Sequence, residues 1–507
     1  MDVTGRRLDA LVAELSDAGL AVELVGATSD DAGEIVVRGA THDSREVAAG
    51  DLFVCLRGAA FDGHDFAADV AAAGATALLV DHPLDVDVAQ LVVDDTRIAA
   101  GPVAAAVHGR PSRSLTGGVV GVTGTNGKTT VTELLATALD ALGRRVGAVG
   151  TLRGARTTPE ATDLQALLAR FVDEGSDSAV MEVSSHALEL HRVDGTEFDV
   201  VAFTNLGHDH LDLHGTHEAY FRAKARLFDG TFAPRAVINI DDVHGSLLAI
   251  EAASHEHVEV AEVSRQHLSD VTVTAHDHRY RWRDHDVVVR IGGHFNVDNS
   301  HLVLEILVAL GVDPADAAQA LSADVVVPGR FELIDHPAAT ARALTVVVDY
   351  AHTPDGLEQL FDTCRAVLDP LASDSSTPDR GSGPGRLVAV YGCGGDRDRE
   401  KRPAMAAVGA ERCDRVVFTS DNPRHEDPQS IIDDMWSGVA EQYRRRVHSI
   451  VDRREAIDEA LRMAQSGDLV VIAGRGHESV QDHGDHRVEF DDRDVARDLL
   501  SLLEPST

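Results

Sequence analysis

Eight consecutive residues, Thr123-Gly124-Thr125-Asn126-Gly127-Lys128-Thr129-Thr130, have the composition of a phosphate cradle. Glycines let a backbone wrap an anion, a lysine closing the turn reaches the terminal phosphates of a nucleotide, and the next hydroxyl, Thr129, is a suitable hard ligand for magnesium. The common form of such loops has glycine five residues before Gly127, where this chain has Val122. The expectation of nucleotide binding therefore rests on the setting, between an apolar strand and a helical pattern. Two further groups could share that crevice. Glu182 follows an apolar run, and His210 lies in the turn Gly207-His208-Asp209-His210 after another. Lysine usage is the third pointer: of 46 basic residues only Lys128, Lys224 and Lys401 are lysine. Lysine can lose its proton and act as a nucleophile, and it presents a compact charge, whereas guanidinium stays protonated and flat.

The elements that must position these groups alternate along the chain. The run Gly118–Thr123 reads as a strand, and Val131, Leu134, Leu135, Ala138, Leu139 and Leu142 recur at helical spacing. Strand-like runs follow at Ala179–Val183, Val200–Thr204 and Ala236–Ile240, with helical patterns between them, which predicts a mostly parallel, helix-covered sheet. The pattern resets near Val327–Glu332, and a second α/β unit is expected from Thr345–Asp349, Leu387–Tyr391, Arg415–Thr419 and Leu469–Ile472. Ser373–Gly385 reads as an exposed loop insertion. Before residue 115, short runs such as Asp51–Leu56 and Ala77–Val80 between Gly and Asp turns fit a small α/β domain.

A chain of 507 residues is too long for one ordinary core. A net charge of −38 opposes binding to nucleic acid and to anionic membranes, so a phosphate-bearing ligand needs a local cationic site. No apolar run approaches the roughly 18 residues of a membrane helix, and the N-terminus lacks the pattern of a signal peptide, so the cytoplasm is the expected compartment. The four cysteines, Cys55, Cys364, Cys393 and Cys413, are scattered without a CxxC pair and read as ordinary thiols.

The form TGTNGKTT resembles the Mur ligase family, and the resemblance spans nearly the whole chain. HDSREVAAGDLFVCLRG and FDGHDF are similar to the UDP-binding domain of members acting on UDP-linked muramoyl dipeptides. TTPEATDLQ, MEVSSHALELHRV, FTNLGHDHLDLHGT, YFRAKARLF, GGHFNVDN, DYAHTPDGLE, YGCGGDRDREKRP, SDNPRHEDP and GRGHE follow in the family's order. The resemblance implies an α/β, three-domain architecture. A UDP-substrate-binding domain (1–115) would precede a central P-loop ATPase domain (116–332) and a C-terminal, Rossmann-like, amino-acid-binding domain (333–507). It further implies that a substrate carboxylate is phosphorylated by ATP and then attacked by an amine, with Mg2+ and cationic side chains stabilising charge.

Residue by residue, the resemblance implies that Glu182 and His210 help hold the metal and that Lys224 becomes a carbamate, a change open to a neutral amine and closed to arginine. Ser44 and Arg45 would lie near the UDP portion; Thr157, Thr158, Ser184 and Arg192 would bind UDP-MurNAc-L-Ala-D-Glu. Leu190 stands where some relatives have glutamine. Asn296 and Asn299 match adenine-side positions, and Arg330 and Asp349 would reach the nucleotide from the domain junction. Asp421-Asn422-Pro423-Arg424, with Arg397, Gly474 and Glu478, matches members that add meso-diaminopimelate. Its second carboxylate suits arginine and its second ammonium suits glutamate. Arg475 replaces the usual lysine of GRGHE. Three alternatives compete: a folylpolyglutamate synthase, disfavoured by the UDP-binding signature; a lysine-adding relative, disfavoured by Arg424; and a non-catalytic nucleotide-binding scaffold, which would not need Lys128, Glu182, His210 and Lys224 together.

Overall fold

The computed structural model describes residues 5–26, 28–58, 60–207, 214–323, 325–368 and 385–503. His210 lies outside these residues, as does all of the expected loop Ser373–Gly385 except Gly385. Three parallel-rich sheets follow one another along the chain. The first has five strands in the order Glu23–Val25, Ala89–Val92, Ala77–Val80, Asp51–Val54 and Gly39–Thr41, with only the first pair antiparallel. Helix Thr96–Val107 covers it; nine of its residues are alanine, valine, isoleucine or glycine, and the Asp95 carboxylate caps its start by accepting from the Arg97 and Ile98 N–H groups.

The central sheet runs Glu259–Val263, Arg235–Asn239, Val200–Phe203, Gly118–Thr123, Ser178–Glu182 and Val146–Val149, all parallel. Gly118–Thr123 is buried at every position, as its continuous apolar run requires. The chain leaves this strand for one edge, returns beside it, and then crosses to the other side. Strand order therefore reverses here, and the crevice at the carboxyl ends opens over this strand. Register places the neighbours level with it: Glu182 pairs with Val122, and Phe203 pairs with Thr123.

An antiparallel sheet of Ser269–Val273, His278–Trp282 and His285–Val289 packs on the central unit. The sequence reading missed it, because that reading followed continuous apolar runs and these strands are short and rich in Ser, Asp, Thr, His and Arg. Helix His294–Ala309 lies between the small sheet and the central one. It buries Ser300 and Glu305, whose partners come from the small sheet: the Tyr280 hydroxyl lies 3.0 Å from the Ser300 hydroxyl, and the Trp282 indole N–H donates to Glu305 at 2.8 Å. That anchoring fixes the first two turns of the helix, which carry Asn296 and Asn299.

The third sheet runs Glu332–Leu333, Thr345–Asp349, Leu469–Ala473, Leu387–Tyr391, Arg415–Phe418 and Val447–Ser449, parallel except for the first pair. Asp349 pairs with Ala473, and Tyr391 pairs with Phe418, so the loops carrying Gly474, Arg397 and Asp421 leave the same carboxyl edge. The four cysteines are buried and free. No helix among the described residues is long and apolar enough to cross a membrane.

Candidate active site

The phosphate loop is held in an open curve by its neighbours. Gly124 (φ +143°) and Gly127 (φ +88°) both lie in the left-handed region, and a Cβ at Gly124 would fall 1.9 Å from the Thr204 hydroxyl. Thr125 N–H donates to the Asn205 carbonyl at 2.8 Å, and Asn126 N–H donates to the Asn205 side-chain oxygen at 3.0 Å. The Thr204 hydroxyl donates to the Asn126 carbonyl at 2.6 Å. Helix Lys128–Ala141 starts directly after Gly127. The N–H groups of its first turn have no partner within the helix, and its dipole favours an anion at this end.

Around the loop lies a cavity of about 630 Å³ between the central and third sheets, lined among others by Thr125–Thr130, Glu182, Lys224, Asn299, Arg330 and Asp349. Lys128 Nζ donates to the carbonyls of Gly124 and Thr125 at 2.9 and 2.8 Å. Lys224, on helix His217–Ala225, is 1% exposed; its Nζ donates to the Gly124 carbonyl at 2.7 Å and sits 4.5 Å above the Tyr220 ring. Two lysines from different elements thus converge on one carbonyl of the loop. The Glu182 carboxylate accepts from the Thr129 hydroxyl at 3.0 Å, from Thr151 N–H at 2.8 Å and from the Thr151 hydroxyl at 3.2 Å. A carboxylate and a hydroxyl beside a phosphate loop are the hard oxygen set that suits magnesium.

Arg330 reaches across the junction. Its NH2 donates to the Thr129 hydroxyl at 3.2 Å, and its guanidinium lies 4.3 Å from the centroid of the Tyr350 ring. Asp349 accepts from Phe331 N–H at 2.7 Å and Ala351 N–H at 2.8 Å, and burial holds its carboxyl above the usual range although Arg330 opposes the shift. Asn299 lines the cavity, whereas Asn296 sits behind it: Asn299 Nδ2 donates to the Asn296 side-chain oxygen at 3.0 Å, and Asn296 Nδ2 donates to the Gly292 carbonyl at 2.7 Å.

Thr157 and Ser184 also line the cavity. Thr158 is buried behind them, with its hydroxyl donating to the Glu182 carbonyl at 2.8 Å and accepting from Ser184 N–H at 3.1 Å. Arg192 pairs with Glu160 at 2.7 Å and donates to the Thr158 carbonyl at 3.3 Å, while its Nε has no partner among the described residues. Ser44 and Arg45 are not brought to this cavity. Both lie in a turn where Asp43 accepts from the Arg45 backbone and side chain at 3.0 and 2.8 Å, and Arg45 is exposed. The preceding His42 ring meets the Thr162 hydroxyl at 2.7 Å, joining the first unit to the central one.

The DNPR segment forms a second cluster on the third sheet. Asn422 is oriented by its bonds: its side-chain oxygen accepts from Arg475 at 3.1 Å and from Asp482 N–H at 2.9 Å, so its Nδ2 donates to Glu478 at 2.7 Å. Burial and the neighbouring Asp421 raise the Glu478 carboxyl above its ordinary range. Gly474 (φ +110°) leaves room for Asp421, since a Cβ there would lie 2.6 Å from its carboxylate. Pro423 is buried at the turn, and Arg424 (φ 51°) donates to the Gly395 carbonyl at 2.6 Å. Arg424 is half-buried and Arg397 exposed, so water reaches both guanidinium groups. Arg475 is fully buried, with its NH2 donating to the Phe490 carbonyl at 2.8 Å, so it braces the cluster from behind. Thr151 was not recognised as part of the site from sequence, since it carries no motif of its own, and Arg475 was legible only as the replacement for the usual lysine of GRGHE.

Comparison with known proteins identifies the family and the fold. Three family models match: "Mur ligase family, catalytic domain" at 36–111, "Mur ligase middle domain" at 122–307 and "Mur ligase, glutamate ligase domain" at 329–476. The UDP-N-acetylmuramoyl-L-alanyl-D-glutamate--2,6-diaminopimelate ligase of Syntrophomonas wolfei is 40% identical, over 92% of this chain and 94% of its own. That of Geobacillus kaustophilus is 42% identical, over 90% and 93%. A solved structure of a ligase of that description superposes with a TM-score of 0.63 at 33% identity, covering 93% of this chain and 96% of its own. At 20% identity a Thermotoga maritima ligase solved with ADP shares the fold, with a TM-score of 0.61 and coverage of 92% and 97%.

Proposed function

The chain belongs to the Mur ligase family, and from that premise we propose that it joins meso-2,6-diaminopimelate to UDP-MurNAc-L-Ala-D-Glu at the expense of ATP, in the cytoplasm, as a step of peptidoglycan precursor synthesis. The observation that carries the reading is the pairing of two sites on facing sheets: a phosphate loop with Glu182 and Lys224 on one, and an arginine and carboxylate cluster at the carboxyl edge of the other.

ATP is the co-substrate, with its phosphates on Gly124–Thr130, its adenine end toward Asn299, and Arg330 reaching the nucleotide from the domain junction beside Thr129. The dipeptide lies along Thr157, Ser184 and Arg192, and the unpartnered Arg192 Nε supports a carboxylate there. Residues 1–115, with Ser44 and Arg45, take the UDP end. A dipeptide carboxylate oxygen attacks the terminal phosphorus and ADP leaves. The free amine of the diamino acid then attacks the acyl carbon, a tetrahedral anion forms, and the C–O bond to phosphate breaks as the amine sheds its proton. Lys128 supplies positive charge at the phosphates; Thr129 and Glu182 fit Mg2+, with His210 as a further ligand. When bound, Mg2+ screens the charge that builds on the transferred phosphoryl group. Lys224, as its carbamate, turns a buried cation into an anion that orients this site. Arg397 and Arg424 take the distal carboxylate of the incoming amino acid and Glu478 its distal ammonium.

Turnover of UDP-MurNAc-L-Ala-D-Glu with ATP, magnesium and a panel of diamino acids tests the reading. The expected outcome is phosphate release coupled to tripeptide formation with meso-diaminopimelate. Equal efficiency with L-lysine would refute the specificity and leave the ligase chemistry standing.

A further inference from the structure

Arg402 is the second residue of the helix Lys401–Arg412, yet its side chain is fully buried. Its guanidinium binds Glu426 twice, NH2 to one oxygen at 2.8 Å and NH1 to the other at 3.1 Å, and NH1 also donates to Asp434 at 2.8 Å. NH2 reaches the Gly394 carbonyl at 3.2 Å. An apolar side chain of similar volume would fill this space without the cost of desolvating a charge. What the guanidinium adds is geometry, since its planar fork ties three separate segments at fixed angles.

Two of those segments carry the arginines assigned to the diamino acid. Glu426 lies two residues after Arg424 and, besides Arg402, accepts from Asp396 N–H at 2.7 Å, one residue before Arg397. Above this clamp the two loops are zipped together. Gly395 N–H donates to the Asn422 carbonyl at 2.9 Å, and a Cβ at Gly395 would lie 1.9 Å from the Pro423 carbonyl. Over Gly394 the arginines converge: a Cβ there would be 3.0 Å from Arg424 NH1 and 3.8 Å from Arg397 Cγ. Asp396 and Arg424 both hold φ of 51°, a conformation costly to side-chain-bearing residues that persists where the surroundings over-determine it.

We propose that Arg402 is a positioning residue for amino-acid specificity: through Glu426 it holds the loop of Arg397 against the loop of Arg424, and so sets the spacing that recognises the second carboxylate of the diamino acid. The proposal rests on the function proposed above. Bidentate pairing with Arg402 keeps Glu426 ionised, with its carboxyl held down to about 2, so the clamp stays closed over the working pH range.

The test is steady-state kinetics on the full-length chain carrying Glu426→Gln, which keeps shape and the bond from Asp396 while weakening the fork. A second variant, Arg402→Met with Glu426→Gln, leaves no buried arginine unpaired; Arg399, which also meets Glu426 at 2.7 Å, is exposed and loses its carboxylate to water. For both, the KM for meso-diaminopimelate should rise about ten- to a hundredfold. The kcat at saturation and the KM values for ATP and the UDP-dipeptide should stay at wild-type values, and the preference over L-lysine should narrow. A variant that melts cooperatively and keeps the wild-type KM and preference overturns the proposal. Parallel loss of ATP affinity, or failure of both variants to melt cooperatively, also overturns it, because Arg402 would then serve stability alone. Absence of diaminopimelate turnover by the wild-type enzyme brings down the functional reading and this proposal together, whereas wild-type turnover with unaltered variants brings down only the clamp.

Discussion

Arg424→Ala is expected to cost diaminopimelate much and lysine nothing. The backbone of residue 424 is held independently of its side chain, by N–H donation to the Asp482 carbonyl at 3.0 Å. Alanine at φ 51° carries the same strain as arginine, so the substitution adds no backbone penalty. The guanidinium is half-buried and already donates once to the Gly395 carbonyl, leaving other N–H groups for a ligand carboxylate. Because water reaches it when no carboxylate is present, the penalty for leaving it unpaired falls below that of a fully buried charge. The relevant magnitude is that of a hydrogen bond to a charged group, about 1.5–3 kcal/mol. That converts to a loss of roughly ten- to a hundred and fiftyfold in kcat/KM for meso-diaminopimelate. L-lysine has no second carboxylate to lose, so the preference should narrow by the same factor. Arg424 does not line the nucleotide cavity, and the KM for ATP should hold. Competition kinetics with both amino acids, alongside an ATP titration, decides the matter. Equal losses with both substrates, or a parallel rise in the KM for ATP, would refute the reasoning.

Lys224→Arg should abolish ligation although charge is kept, because arginine cannot form a carbamate, and Lys224→Ala should regain activity with added short carboxylates; full activity of the arginine variant in a ligation assay would sink the carbamate. Gly127→Ala should raise the KM for ATP: φ of +88° costs an L residue about 1–2 kcal/mol, and the new Cβ would sit 2.4 Å from the Asn299 side-chain oxygen, so a wild-type ATP titration curve would contradict it. Glu478 should impose a pH dependence with opposite signs in binding and folding. Its carboxyl is raised above 4.5 by burial and Asp421, so as pH falls through that raised value the protonated form loses its grip on an ammonium and the KM for diaminopimelate climbs. Folding of the ligand-free chain responds the other way, since the native state then binds more protons than the unfolded one, and Glu478's contribution to stability rises across the same window. Kinetics and melting of Glu478→Gln across that range should lose both trends, and persistence of either would exclude Glu478 as its source.

The parts of this molecule that were legible in its sequence are those where one local pattern decides the structure. Gly118–Thr123, Thr345–Asp349 and Leu387–Tyr391 are continuous apolar runs, and they are buried strands with those bounds. The phosphate loop was readable because its glycines occupy backbone conformations that few other residues tolerate. The small antiparallel sheet was not, because strands such as His278–Trp282 offer no continuous apolar run to follow. Nor were the buried arginines, which read as surface until distant partners are known: Arg453 is matched by Asp492, 39 residues on, through two bonds of 2.7 Å. Lysine usage reaches furthest into the chemistry. Lys401 donates to the His352 carbonyl at 3.1 Å, as Lys128 and Lys224 donate to loop carbonyls. All three place a compact ammonium against backbone oxygen at or beside the cavity. A planar guanidinium directs its donors in one plane and needs more room, so a chain that uses arginine almost everywhere else keeps lysine where a compact charge meets backbone carbonyls, and at Lys224 also where only an amine can take up carbon dioxide.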